Sequence, residues 1–379
     1  MGFTNPLFTG SMFLLILGLA SSCNAQLSAC KFQAIFQFGD ELSDTGNSIQ
    51  EFSMARHARL PYGQTMNKAT GRSSDGLLII DYFSESAGLP YLDPIEKRTG
   101  FNYTHGVNFA VAGVTAMSAG ELTKFNLLAN WSSNSLDVQL KWFDEFLKAT
   151  CSDKDACSKK IKSSLFVLGE IGSNDYNYAF SRQDKHMSPE EVKKTMVPVV
   201  VKAIIEGVQH LISRGAVRIV VPGIFPLGCS PYFQTSFKSS PNNAKDKYGC
   251  LKEYNDAIMY HNEQLQKAIL KIKGSNPGVH ILYGDLYATY IYVLENAQKL
   301  GFKETLKACC GSGGGPYNFD WSALCGDKSC TVCSNPNEYV SWDGQHMTQH
   351  MHKFISEVLI TDLTPKLQCG SSPTGNKEL

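Results

Sequence analysis

The chain has 379 residues, 43% of them hydrophobic, enough to bury one large core, and its composition shows neither a repeat nor the polar bias of a disordered segment. Thirty-five basic residues balance thirty-five acidic ones, and no basic run is long enough to track phosphates, so nucleic-acid binding has no electrostatic support. The ligand class left open is a small molecule that is neutral or only locally charged.

The apolar stretch Met12 to Ala20, followed by the small-residue pattern Cys23-Asn24-Ala25, reads as a signal peptide over residues 1–25, with cleavage before Gln26. It is too short for a membrane span, and Pro6 stands where N-myristoylation wants Ser or Thr. Residues 26–379 are then expected to form one mature domain in the secretory pathway. Asn102-Tyr103-Thr104 and Asn130-Trp131-Ser132 are glycosylation acceptors and support that route. The final Lys377-Glu378-Leu379 lacks the acidic residue of an ER-retrieval tail.

A short apolar run from Phe32 to Phe38 predicts a strand entering the polar turn Gly39-Asp40-Glu41-Leu42-Ser43-Asp44. Leu165 to Gly169, Val217 to Val221 and Val279 to Tyr283 are further continuous apolar strands, the kind buried on both faces of a parallel sheet. Between them, apolar residues at three- and four-residue spacing predict helices over Asp137–Thr150, Pro189–Arg214 and Leu251–Lys273, with Ser188 as N-cap of the second and Gly215 as its stop. This alternation argues for an α/β layer architecture with a mostly parallel sheet, in which ligands bind at the carboxyl ends of the strands. Glu41, Asn174 and the loop after Val221 should converge there.

Loss of Cys23 with the leader leaves eleven of the twelve cysteines, so at least one is unpaired. An oxidising compartment favours disulfides, with Cys151 and Cys157 closing a short loop and Cys309, Cys310, Cys325, Cys330 and Cys333 stapling residues 308–340. A zinc site on Cys330-Thr331-Val332-Cys333 is the alternative, and no metal or other cofactor is expected. Gly311-Ser312-Gly313-Gly314-Gly315 is read as a connector, because no Lys-Ser/Thr follows it. His346, His350 and His352 are read as exposed helix histidines rather than metal ligands. Asp175 and Tyr176 either line the cleft or, for Asp175, cap a turn. Arg72 is expected in a structural salt bridge with Asp40 or Asp44.

Four segments resemble, in order, the signature blocks of the plant GDSL-type esterases and lipases, a branch of the SGNH hydrolases: Gly39 to Asn47, Asn108 to Gly113, Gly172 to Asp175 and Ser341 to His346. The resemblance covers Cys30 to Cys369 and implies a three-layer α/β/α, flavodoxin-like fold. It also implies that Gly113 and Asn174 are oxyanion donors, that His346 is the base and that Asp343 orients it. Leu60 to Thr65 and Val221 to Cys229 resemble members acting on plant specialised metabolites, which implies an apoplastic, otherwise extracellular, or vacuolar protein with a small-molecule partner. Where the family carries its serine nucleophile, this chain has Glu41.

Glutamate has no proton to give at neutral pH, and attack by it on an ester would form a mixed anhydride, so the usual acyl-enzyme route is closed. Three readings remain. Glu41 and His346 form an acid/base pair serving atypical ester hydrolysis, isomerisation, elimination or ring closure; Glu41 attacks an sp³ carbon such as an epoxide, with His346 then activating water; or the protein is a catalytically silent binder. The retention of Gly113, Asn174, Asp343 and His346 beside Glu41 favours the first.

Overall fold

The computed structural model describes residues 26–96, 99–128, 132–181, 186–237 and 244–369; the leader segment and Asn130 lie outside them. Five strands, β1 (Ile35–Phe38), β2 (Gly106–Asn108), β3 (Leu165–Leu168), β4 (Arg218–Pro222) and β5 (His280–Gly284), form one sheet in the order β2-β1-β3-β4-β5. Every pairing is parallel, with Ile35 opposite Gly106 and Leu165, and Arg218 opposite Leu165 and His280.

Strand side chains alternate between faces, and both faces are covered. Phe36 and Phe38 pack against Phe143 in the helix Leu136–Thr150, and Phe36 also stacks on Phe166 of β3. Gln37 and Val167, one step out of phase, face Ile80 and Phe83 of the helix Ile79–Ala87 and Leu359 of the helix Gln349–Leu363. Each of the fully buried aromatics contributes about 1.5–3 kcal/mol by leaving water. The result is the α/β layering that the apolar runs predict, in the three-layer form that the family resemblance implies.

The expected strands and helices are present with their ends shifted by up to three residues, and the largest departure has a local cause. The single helix predicted over Pro189–Arg214 is two, Pro189–Thr195 and Val197–Ser213, bent by 48°. Pro198 in the first turn of the second piece has no N–H to continue the ladder, and its ring crowds the carbonyl one turn back. Ser188 caps the first piece by accepting from the Glu191 N–H, and Gly215 ends the second at φ 97°. Among the described residues, no single helix is long and apolar enough to cross a membrane.

Disulfides join Cys30 to Cys369, Cys151 to Cys157, Cys229 to Cys250, Cys309 to Cys333 and Cys310 to Cys325, and Cys330 is free. Two of these pin the loop-rich segment that leads to His346, as expected, and the strand pair Glu304–Ala308 with Tyr339–Ser341 sets its base. Cys333 is therefore committed to sulfur, and no cluster of His, Cys, Asp or Glu suited to a metal occurs among the described residues.

Two side-chain expectations are corrected by tertiary packing. Arg72 does not pair with Asp40 or Asp44: its Nε and Nη2 hold the two oxygens of Asp81 at 2.8 and 2.6 Å. Asp44 is instead consumed by four backbone amides, those of Gly46, Asn47, Ser48 and Ala112. Nor are the three histidines exposed on one helix. His346 precedes the helix Gln349–Leu363, His350 is partly covered against Phe302, and His352 is fully buried in the core, where desolvation pushes its pKa down to about 3.

Candidate active site

The sheet order reverses between β1 and β3, so the loops leaving these two strands open a crevice at their carboxyl ends. Gly39 lets them approach: at φ 154° it sits where a Cβ would lie 2.8 Å from the Glu170 carbonyl oxygen. Asp40 receives the Leu42 amide and the Ser173 hydroxyl, fixing the β1 turn to the β3 loop. On the other side Asn47 donates to the carbonyls of Asn108 and Ala110, and Asn108 donates back to that of Ser43. Three loops are thereby sewn around Glu41.

One carboxylate oxygen of Glu41, Oε2, accepts from the Gly113 backbone N–H at 2.9 Å and from Asn174 Nδ2 at 2.8 Å. Both groups named as donors from the sequence thus converge on a single point, and that point is already filled by the protein's own anion. Gly113 reaches it at φ 80°, and its carbonyl is held by the Tyr178 hydroxyl at 2.7 Å. Glu41 Oε1 has no hydrogen-bond partner among the described residues, and the side chain is partly exposed. Asp175 does not line the crevice: it is fully buried and caps the amides of Ala116 and Met117, with burial lifting its pKa to about 7. Tyr176 is likewise buried, against His261.

Asp343 and His346 form the second half of the site. His346 Nδ1 donates to Asp343 Oδ2 at 2.6 Å, while the amides of Gln345 and His346 donate to Oδ1. Burial alone would push the His346 pKa down, but the Asp343 charge and hydrogen bond, with Glu41 adding, hold it above the ordinary imidazole value. For Asp343, burial opposes ionisation, yet the His346 charge and these donors keep the carboxyl below its usual range. No ion pair joins His346 to Glu41, and its Nε2 has no hydrogen-bond partner among the described residues.

Two residues beside these were not singled out by the sequence. Tyr62, fully enclosed on the segment after Pro61, donates its hydroxyl to Asp343 Oδ2 at 2.8 Å, beside the bond from His346. His57 lies edge-on to Tyr62 and within electrostatic reach of Glu41, Asp343 and His346. Beneath the crevice Asp40 and Glu170 are wholly buried, and desolvation raises both well above the carboxylate range, helped at Asp40 by the charges of Glu170 and Glu41 and at Glu170 by those of Glu41 and Asp175.

A parallel α/β sheet with a histidine–aspartate pair and two convergent N–H donors over its carboxyl edge defines a hydrolase-type site. The profile of the family described as GDSL-like Lipase/Acylhydrolase matches residues 35–359, and the chain belongs to that family. It is 40% identical over 374 residues to acetylajmalan esterase 2 of Rauvolfia serpentina, covering 97% of this chain and all of that relative. Acetylajmalan esterase 1 of the same plant is 39% identical over 349 residues, 90% of this chain and 89% of its own length. A GDSL esterase/lipase of Arabidopsis thaliana is 40% identical over 360 residues, 92% of this chain and 89% of its own.

Proposed function

We propose that this protein is an enzyme of plant specialised metabolism in which Glu41 and His346 act as an acid/base pair on a small ester-bearing metabolite. The observation that carries the reading is the Glu41 carboxylate seated on the Gly113 and Asn174 donors at 2.9 and 2.8 Å. An ester carbonyl has nowhere to place a developing oxyanion while those donors are taken, so the arrangement favours isomerisation, elimination or ring closure over acyl transfer. The same two bonds aim Oε1 outward as a fixed base or counter-charge. His346, oriented by Asp343 and Tyr62, supplies the exchangeable proton at Nε2.

Purified protein offered plant metabolite extracts, with conversion followed by mass spectrometry, tests this. Glu41→Gln, nearly isosteric but unable to ionise, and His346→Ala are each expected to slow the wild-type conversion ~10²–10⁴-fold. Their combination should cost little more than either alone, because the two act as a unit. The rate should also follow a bell against pH, with one limb set by His346 above the ordinary imidazole value. If all wild-type conversions survive Glu41→Gln, Glu41→Ala and His346→Ala, the acid/base reading falls and ligand binding without chemistry takes its place.

The secretory route is part of the same proposal, with apoplast or vacuole as destination. Five disulfides and an exposed Asn102 support it. Protein purified from a plant host is expected to begin near Gln26 and to carry glycans at Asn102 and Asn130. Intact-mass and peptide analysis showing an unprocessed, unglycosylated chain would contradict it.

A further inference from the structure

His57 has no role in the acid/base pair described above, yet its position is hard to account for as packing. Its Nε2 lies 2.8 Å from the hydroxyl of Ser48, which is itself buried and held by the Asp44 carboxylate through its backbone N–H at 3.0 Å. The ring stands edge-on to Tyr62, the residue that donates to Asp343. The other nitrogen, Nδ1, has no hydrogen-bond partner among the described residues, and the residue is partly exposed. The charged groups that act on it most belong to the site or its support: Asp44 and Glu41 from the β1 loop, Asp343 and His346 from the loop after Ser341. A histidine fixed at one nitrogen and open at the other is the geometry of a proton acceptor oriented by its second hydrogen bond.

We propose that His57 is a third proton-transfer residue of this crevice, its Nε2–H donating to Ser48 and its Nδ1 deprotonating a hydroxyl or ammonium group of the bound substrate. The inference rests on the acid/base reading and names the substrate class: an ester that also carries an O–H or N–H group. In the step, the X–H proton goes to His57 Nδ1, and the electron pair left on X attacks an electrophilic carbon of the same molecule. The bond from that carbon to its departing atom breaks, and His346 Nε2–H protonates the departing atom. His57 then returns its proton to water and His346 regains one, so no oxidant or co-reactant is needed. The two histidines suit opposite duties. Burial shifts His57 below the ordinary imidazole value, favouring its neutral form, while Asp343 shifts His346 above it, favouring the protonated one.

The test uses His57→Ala and His57→Gln in the intact, disulfide-bonded protein, in the same metabolite-conversion assay. Both are expected to lower kcat ~10²-fold or more with KM little changed, and added imidazole should restore part of the His57→Ala rate by supplying the missing base. Ser48→Ala should lose less, since it only frees the ring to turn. Conversion abolished by Glu41→Gln and His346→Ala but unchanged in His57→Ala overturns this proposal and leaves the acid/base pair standing. Loss in His57→Ala that imidazole does not restore, in protein that melts with the wild type, assigns His57 a structural role and also overturns it. A second arm needs no substrate. Treated with diethyl pyrocarbonate near pH 6, His57 should be modified faster than His346 in peptide maps, whereas an unreactive His57 shows Nδ1 to be closed and sinks the idea.

Discussion

Glu41→Ser is expected to create aryl-ester hydrolysis well above whatever the wild type shows. In the wild type the Gly113 N–H and Asn174 Nδ2 both bond to Glu41 Oε2, so these two donors are taken, and position 41 carries no hydroxyl to attack. Serine is too short to reach those donors with its own oxygen and so vacates them. His346 is already oriented by Asp343 at 2.6 Å, with Nε2 open for the serine proton. One oxyanion donor is typically worth ~10²–10³ in rate, and both would be freed at once. We expect hydrolysis of p-nitrophenyl acetate to rise at least ~10³-fold over wild type, about 4 kcal/mol of barrier, and a fluorophosphonate probe to label position 41. Wild type should show neither. A folded Glu41→Ser protein that stays unlabelled, or a wild type that labels at this site, would refute the account of the crevice. The substitution should not weaken the fold, because it removes the repulsion that helps raise the buried Asp40 and Glu170 carboxyls.

Arg72→Ala is expected to be the most destabilising of the substitutions considered. Arg72 and Asp81 are 6% and 0% exposed and meet through two hydrogen bonds, and Asp81 also accepts from the Leu78 N–H at the start of the helix Ile79–Ala87. Removing the guanidinium leaves a carboxylate in the core with its charge uncompensated, which costs about 3–5 kcal/mol. The damage should reach the site. The turn after Arg72 supports the histidine loop, with Ser74 Oγ donating to the Met347 carbonyl and the Gln349 N–H donating to Asp75. Urea unfolding of Arg72→Ala should show the loss, and Arg72→Met with Asp81→Leu should recover much of it, since the pair then leaves no buried charge. Additive loss in the double variant would mean that the ion pair is not the source.

The continuous apolar runs at β1, β3, β4 and β5 were legible because strands buried on both faces need apolar residues at every position. The same is true of the long amphipathic helices with their caps at Ser188 and Gly215. The chemical types at the site were legible too: Glu41, Gly113, Asn174, Asp343 and His346 occur in an order that a family resemblance can recognise, and the meeting of the first three follows from the sheet, whose adjacent strands they follow. β2 was not legible. Gly106-Val107-Asn108 is too short and too polar to carry a periodic signal, and its strand exists only because β1 lies beside it.

What remained was decided by distance in space rather than in sequence. Asp81 wins Arg72 over Asp40 and Asp44 because each of those two already holds other donors: Asp40 the Leu42 amide and the Ser173 hydroxyl, Asp44 four amides. His352 is buried and His57 only partly covered because of which way one helix and one loop happen to face. Which oxygen of Glu41 meets the two donors, and that Tyr62 shares Asp343 with His346 from 281 positions away, belong to the same class of fact. Hydrophobic pattern is local, so a sequence displays it. Hydrogen-bond partnership depends on which groups the packed layers bring within about 3 Å, and only the folded chain determines that.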